Sequence, residues 1–309
     1  MNATSHFLSC DWGTTHFRLR LVKTDTLEVI QAWKSEAGVK TVHQWWQQQD
    51  ELDQESFFRQ FLQKQMDQSF DEPIVMSGMA SSSIGLRELP YADFPIDPAG
   101  ENLLWERVGD KMVLISGVKA ENGMMRGEEV QAVGLAKEMG PEKATLILPG
   151  THSKHLLWEE GAFRDMRNYM TGELFAVLTQ HSILSASVRE SEWGPKEEVA
   201  FQEGIELSKK GHLLGQLLQV RANDVIGGVS PQENYAFLSA LLIGHELQEI
   251  SPATKRIVVA ATEPLLSLYQ MGLRQQKANV EWVFIDEKGI THACLHTHRR
   301  ILQRARLLE

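Results

Sequence analysis

Two stretches of this chain set a Gly-Thr pair between short strand-like runs: "SCDWGTTHFRLRLV" from Ser9 to Val22, and "ATLILPGTHSKHLLW" from Ala144 to Trp158. The chemistry such turns offer is anion binding. A tight turn exposes successive backbone N–H groups, and glycine lets a phosphate approach with no Cβ in the way. Beside Gly13 and Gly150, the side chains of Thr14, Thr15, Thr151, His152 and Ser153 would add donors, and Lys154 a charge. Asp11, closing the first run, is placed to hold Mg²⁺ directly or through water, because that ion keeps several waters and takes few carboxylates. Asp, Gly and Thr are also ordinary turn residues, so Asp11 alone reads equally as a turn cap. The second hairpin favours the phosphate reading.

The elements that must carry these turns repeat as well. "FLSCD", "HFRLRLV" and "LEVIQAW" read as strands, followed by a helix in "QESFFRQFLQKQMDQSF", where Phe57, Phe58, Phe61 and Leu62 share one side. "PIVMSGM" and "KMVLISGV" are further buried strands, separated by a long Pro-, Ser- and Gly-rich stretch of the kind that is usually functional. "RGEEVQAVGLAKEMG" is a helix with an acidic start and a Gly-Pro stop. The opening meander then returns. With Gly13 set on Gly150, Thr14 falls on Thr151, Leu19 on Leu156 and Leu21 on Trp158. Helices follow, then the strand "RIVVAAT" opening into "EPLLSLYQMGLR", the strand "VEWVFI" and a closing helix. A duplicated α/β domain accounts for this order, with the break between Arg126 and Lys143. Other nucleotide signatures are missing: no G-x-x-x-x-G-K-[ST] occurs, and no G-x-G-x-x-G follows a strand.

Composition limits the alternatives. The chain has 309 residues, 42% hydrophobic and 23% charged, as expected of a globular protein with room for two domains. Its net charge of −10 argues against a nucleic-acid surface, which needs a basic face. Two widely separated cysteines, Cys10 and Cys294, suit a reducing compartment better than a disulfide framework. Neither a signal peptide nor a membrane span is visible, so a cytoplasmic protein that does not engage a membrane is expected. The histidines of "THACLHTH" (His292, His296 and His298) have partly helical spacing but no accompanying carboxylate motif, and are not read as a metal site.

Paired hairpins on a duplicated ribonuclease-H-like fold resemble the superfamily of actin, Hsp70 and the sugar kinases. More narrowly, "DWGTTHFRLRL", "MRGEEVQAVG", "LPGTHSKHLLW" and "YMTGELFAVLTQHSIL" together resemble the 2-dehydro-3-deoxygalactonokinases, in order and across essentially the whole chain. The resemblance implies an actin-like ATPase fold, with residues 1–128 binding sugar, 129–309 binding nucleotide, and the active site in the cleft between two mixed sheets of about five strands each. It implies phosphorylation of the 6-hydroxyl of 2-dehydro-3-deoxy-D-galactonate by ATP with Mg²⁺, in galactonate breakdown. It leaves room for a homodimer.

The resemblance also assigns roles. Glu128 or Glu129 would be the general base, with Glu128 preferred because it directly follows Gly127. On side-chain chemistry rather than the resemblance, Arg87, Arg126 and Arg18 are candidate readers of the sugar carboxylate, because guanidinium can bind it through two parallel bonds, and Arg126 could equally bind a phosphate. The turn at Ala261 and Thr262 would lie on the adenosine side, with Ala260, Ala261 and Thr262 replacing a double Gly common in the superfamily. One departure concerns the acceptor. In "GMASSSIGLRELPY", Ser82, Ser83 and Ile84 replace the family's usual Ser-Arg-Gln, which leaves open a kinase for another sugar acid. A phosphohydrolase of the same superfamily, with water as nucleophile, is the other alternative.

Overall fold

Short apolar runs with few polar interruptions belong in sheets covered on both faces. "ATLIL" is such a run, and all five of its residues are buried in the strand Ala144–Leu148. The computed structural model describes residues 5–66, 71–277 and 279–308. It divides into two compact units: Met1–Lys137 with Gly161–Met166 and Lys288–Glu309, and Glu138–Glu160 with Arg167–Glu287. Both are discontinuous in sequence, so a single cut after residue 128 does not describe them.

In the first unit β1 (His6–Trp12), β2 (Phe17–Lys23) and β3 (Val29–Ser35) form the expected meander, followed by α1 (Val39–Trp46) and α2 (Gln54–Gln65). The end of the helix expected through Phe70 lies partly outside the described residues. After β4 (Ile74–Gly78) come the short strands β5 (Ala92–Asp93) and β6 (Trp105–Arg107), then β7 (Met112–Ile115), β8 (Val118–Ala120) and β9 (Gly123–Met125). Helix α3 (Glu128–Leu135) follows. The main sheet runs β3-β2-β1-β4-β7-β6. β1 pairs antiparallel with β2 and parallel with β4, β4 parallel with β7, and β6 antiparallel with β7. This sheet has six strands where about five were expected. The extra strand is β6, which lies just beyond the Pro-, Ser- and Gly-rich stretch and carries no buried residue. β5, β8 and β9 form a small second sheet.

The second unit repeats the plan. β10 (Ala144–Leu148), β11 (Ser153–Glu159) and β12 (Ala162–Tyr169) are followed by α4 (Thr171–His181), α5 (Pro195–Ser208), α6 (Leu213–Val225) and α7 (Pro231–Gln248). Then come β13 (Arg256–Ala260), α8 (Leu265–Gln276) and β14 (Glu281–Ile285). The sheet order is β12-β11-β10-β13-β14, with β10 antiparallel to β11 and parallel to β13, and β13 parallel to β14. Hairpin, third strand outside it, then two parallel strands on the other side is the ribonuclease-H-like arrangement, and it occurs once in each unit.

The cores follow the residue patterns. Trp12 anchors the end of β1, stacking on Phe61 at 5.5 Å between centroids, meeting Phe17 edge-on at 5.0 Å, and donating from its indole N–H to the Ala37 carbonyl. Because side chains alternate along a strand, burying Trp12 turns Asp11 to the other face. α7 is the central helix of its unit, with most of its residues buried, started by Pro231 in the first turn and a Ser230–Glu233 capping box. The last helix, α9 (Glu287–Arg304), buries Leu295, Ile301 and Leu302 with Phe7, Val22, Val75 and Val130 of the first unit.

Candidate phosphoryl-transfer site

In the first unit the carboxylates gather where ligands bind α/β sheets, outside the carboxyl ends of parallel strands. Asp11 is the penultimate residue of β1, and opposite it in register on β2 is Arg18, whose guanidinium donates to its carboxylate at 3.1 Å. Both side chains are about two-fifths exposed, at 38% and 42%, so the pair faces solvent rather than the core. The tip beyond it is braced. The carbonyls of Gly13, Thr14 and Thr15 accept from the N–H groups of Val39, Lys40 and Gly38, at the start of α1. A side chain on Gly38 would collide with the Thr14 carbonyl, so only glycine lets the helix approach the tip so closely. Thr14 and Thr15 are exposed.

On neighbouring β4, Gly78 pairs with Trp12 and has φ +86°, and a Cβ there would lie 2.7 Å from the Trp12 carbonyl oxygen. Gly127, with φ +114°, lies against Gly78 so closely that its own Cβ would be 3.2 Å from the Gly78 Cα. Backbone contact thus seats the start of α3 on the end of β4. The two glutamates there differ. Glu128 is half-buried, and its carboxylate accepts from the Arg126 backbone N–H at 3.1 Å. Glu129 is fully buried, and both of its oxygens accept from the Gly127 N–H, at 2.9 and 2.7 Å. Burial, reinforced by the charge of Glu128, pushes its carboxyl up to about 8 against the pull of those N–H bonds.

The arginines also divide. Arg87 binds Glu55 through Nε and Nη2, at 2.9 and 2.7 Å, and Glu106 through Nη1, while Arg59 shares Glu55. Its guanidinium is occupied by two carboxylates of its own unit, which argues against the role expected of it as a substrate reader. Arg126 lies over the Tyr91 ring at 4.2 Å and donates to the backbone and hydroxyl of Ser81. It ties the start of α3 to the loop containing Ser82, Ser83 and Ile84. His298, the innermost histidine of "THACLHTH", is buried between the hydroxyls of Ser9 at 2.8 Å and Ser77 at 3.1 Å, and burial lowers its pKa to about 3. Among the described residues no group of His, Cys, Asp and Glu is arranged to hold a metal on its own.

The second unit presents its tip in the same way. Thr151 and His152 are exposed, Ser153 and Lys154 are buried in β11, and the Glu173 N–H in the first turn of α4 donates to the Thr151 carbonyl at 2.9 Å. His152 pairs with the Glu173 carboxylate. A Cβ on Gly172 would collide with the Gly150 carbonyl, so Gly172 serves this tip as Gly38 serves the other. Beyond its chain neighbours, a Cβ at Gly150 would meet no atom within 4 Å. A cavity of roughly 340 Å³ opens there, reaching from Gly150, Thr171 and Gly172 to Pro264 and Leu265. Phe175, Trp193, Tyr235 and Tyr269 supply its aromatic lining, with Glu190 and Ser191 beside them. Ala261 is buried and Thr262 exposed, but the turn reaches this cavity through Pro264 and Leu265 rather than through those two residues. Sequence reasoning missed the aromatic lining, because the four side chains come from four separate segments with no shared motif.

The family model for 2-keto-3-deoxy-galactonokinase matches residues 11–297. The chain belongs to that family. It is a carbohydrate kinase acting on a sugar acid. The 2-dehydro-3-deoxygalactonokinase of Escherichia coli (strain K12) is 30% identical over 307 residues, covering 94% of this chain and 99% of that one. A crystal structure of a Sinorhizobium meliloti protein, described as a candidate 2-dehydro-3-deoxygalactonokinase, superposes with a TM-score of 0.81 at 25% identity, covering 96% of this chain and 99% of that one. The matched range takes in both hairpin tips and the glutamate pair. No helix among the described residues is long and apolar enough to cross a membrane.

Proposed function

We propose that the protein transfers the γ-phosphoryl group of ATP to the 6-hydroxyl of 2-dehydro-3-deoxy-D-galactonate. The observation that carries the donor assignment is the cavity at the Gly150 tip, whose aromatic lining suits a purine and whose mouth is a glycine turn suited to phosphates. Thr151 and His152 belong to the same tip, and Ser153 begins the strand that leaves it. On the first unit, Glu128 takes the acceptor's proton. It is the member of the pair with solvent access, while Glu129 is committed to the Gly127 N–H and holds the turn from which Glu128 projects. A positioned carboxylate of this kind contributes about 10²–10⁴-fold.

Asp11 fits Mg²⁺: it is a single, partly exposed carboxylate at the strand end beside the glycine tip, and this ion needs few protein ligands when phosphates and waters supply the rest. When bound, the ion supplies neutralisation of phosphate charge. Arg18 fixes the direction of the Asp11 carboxylate, and Thr14 and Thr15 offer hydroxyls to the same region. Arg126 is the better placed of the two loop-linked arginines to read the sugar carboxylate, since its present partners are hydroxyl and carbonyl groups rather than carboxylates.

A coupled ATP-consumption assay across 2-keto-3-deoxy sugar acids tests this reading, with galactonate-type and gluconate-type epimers side by side and the product's phosphate position read by NMR. Turnover with the galactonate-type acid and phosphate on C6 is expected. Preference for another acid would trace to the Ser82–Ile84 departure, and phosphate release without any acceptor would mark a hydrolase.

A further inference from the structure

Near its C-terminal end α7 carries a carboxylate where its surroundings are apolar. Glu246 is 3% exposed, between Leu242, Ile243 and Leu247 of the same helix, all core residues. A buried carboxylate is costly unless donors replace its water. Here donors arrive from three other elements. His155 of β11 meets Oε1 at 2.9 Å, Tyr269 of α8 donates to Oε2 at 2.8 Å, and the hydroxyl of Thr171, the first residue of α4, donates to the same Oε2. The Tyr269 hydroxyl lies 3.0 Å from that of Ser153, the first residue of β11.

These partners share one location. Thr171 and Tyr269 line the cavity together with Gly150, and Ser153 and His155 stand on the strand that leaves the tip. A leucine would fill such a position at no electrostatic cost, whereas a fully satisfied polar network fixes the mutual orientation of the groups it joins. We propose that Glu246 is a positioning residue for the phosphoryl donor. Its carboxylate holds the start of α4, the start of β11 and the wall of α8 in one arrangement around the Gly150 tip, so that the donor's phosphates meet a preset backbone. This rests on the assignment of that cavity to ATP.

Glu246→Gln tests it. The amide keeps the shape but offers one acceptor oxygen and an NH₂ group, so the donors that converge on the two carboxylate oxygens can no longer all be accepted. Steady-state kinetics with ATP and sugar acid varied separately, and calorimetric binding of a non-hydrolysable ATP analogue, give the readouts. We expect the ATP KM to rise and analogue affinity to fall, each by about tenfold or more, the scale of one lost charge-assisted bond. The sugar-acid KM should stay within about twofold. Tyr269→Phe, which cuts only the link to Ser153 and one bond to Glu246, should move the ATP KM the same way by less. Ile205→Ala, a truncation in the same core at a residue outside both the network and the cavity lining, should lower Tm and leave the ATP KM unchanged. A Glu246→Gln protein with lowered Tm and unchanged ATP KM and analogue affinity overturns the proposal. If that variant does not fold, Tyr269→Phe and Thr171→Val decide by the same readouts. Failure of the donor assignment looks different: the wild-type protein itself would not bind the analogue, and the proposal falls with it.

Discussion

Replacing Glu129 by Gln should make the protein more stable, and only on one side of the pH scale. The folded unit holds this carboxyl up at about 8, from an ordinary value of 4.5, chiefly because it is buried. Between those two values the folded chain keeps the proton that the unfolded chain has released. The folded state therefore binds more protons, and stability falls as pH rises through the window. The slope is about 1.4 kcal/mol per pH unit for one group, and the rise corresponds to roughly 5 kcal/mol in all. The substituted amide would carry no charge at any pH, and its oxygen can still accept from the Gly127 N–H, which now donates to both carboxylate oxygens. Urea unfolding of both proteins from pH 5 to pH 9 should show near-equal stability at pH 5. The Glu129→Gln variant should lead by several kcal/mol, on the order of 3–5, above pH 8. Turnover should change little, because the group is turned into the fold. A difference between the two proteins that is the same at pH 5 and pH 9 would refute the reasoning, since it would mean that no proton is taken up with folding at this position.

Glu128→Gln should instead cut kcat by about 10²–10⁴-fold with ATP-analogue affinity intact, and the reverse outcome for the two glutamates would move the base by one residue. Asp11→Asn should lower kcat by about a hundredfold or more in a folded protein, because the isosteric amide carries no charge for Mg²⁺; near-normal turnover would return Asp11 to a turn residue paired with Arg18. Arg126→Lys should raise the sugar-acid KM and spare the ATP KM, since an ammonium cannot reproduce two parallel bonds. Arg87→Lys should leave both nearly unchanged, its effect confined to the Glu55 and Glu106 ion pairs; a raised sugar-acid KM there would restore Arg87 as a substrate reader.

Much of the fold was legible because its signals are local. The Gly-Thr turns, the alternation in "FRLRLV" and the apolar run "ATLIL" each specify their own element, and their recurrence exposes the duplication. What escaped depends on distant pairing. No pattern in "THACLHTHRRIL" says that this helix joins the first strand of the chain, yet His298 bonds Ser9, 289 positions earlier. Arg87 in a long loop looked free to bind an anion, and only the fold shows Glu55 and Glu106 already upon it. Gly38 and Gly172 drew no attention, because their role is to be approached by a turn elsewhere in the chain. The two adjacent glutamates were separable in principle by helical periodicity, but which of them faces the core depends on the packing of Gly127 against Gly78.

The glycine braces have a thermodynamic consequence. Each hairpin tip is held by the first turn of a helix, so the tip cannot fluctuate without breaking its bonds to that turn. The conformational freedom of the tip is therefore largely surrendered when the unit folds, and little of it remains to be lost when a ligand arrives. In a flexible glycine-rich loop much of the affinity gained from backbone N–H groups is cancelled by ordering them. Here that ordering cost is largely met on folding, and the ligand's own loss of freedom is the main entropic term left to oppose binding. Replacing a brace residue, such as Gly172 by Ala, should leave the enthalpy favourable while making the binding entropy markedly more negative, because the same contacts would first have to freeze a loosened turn.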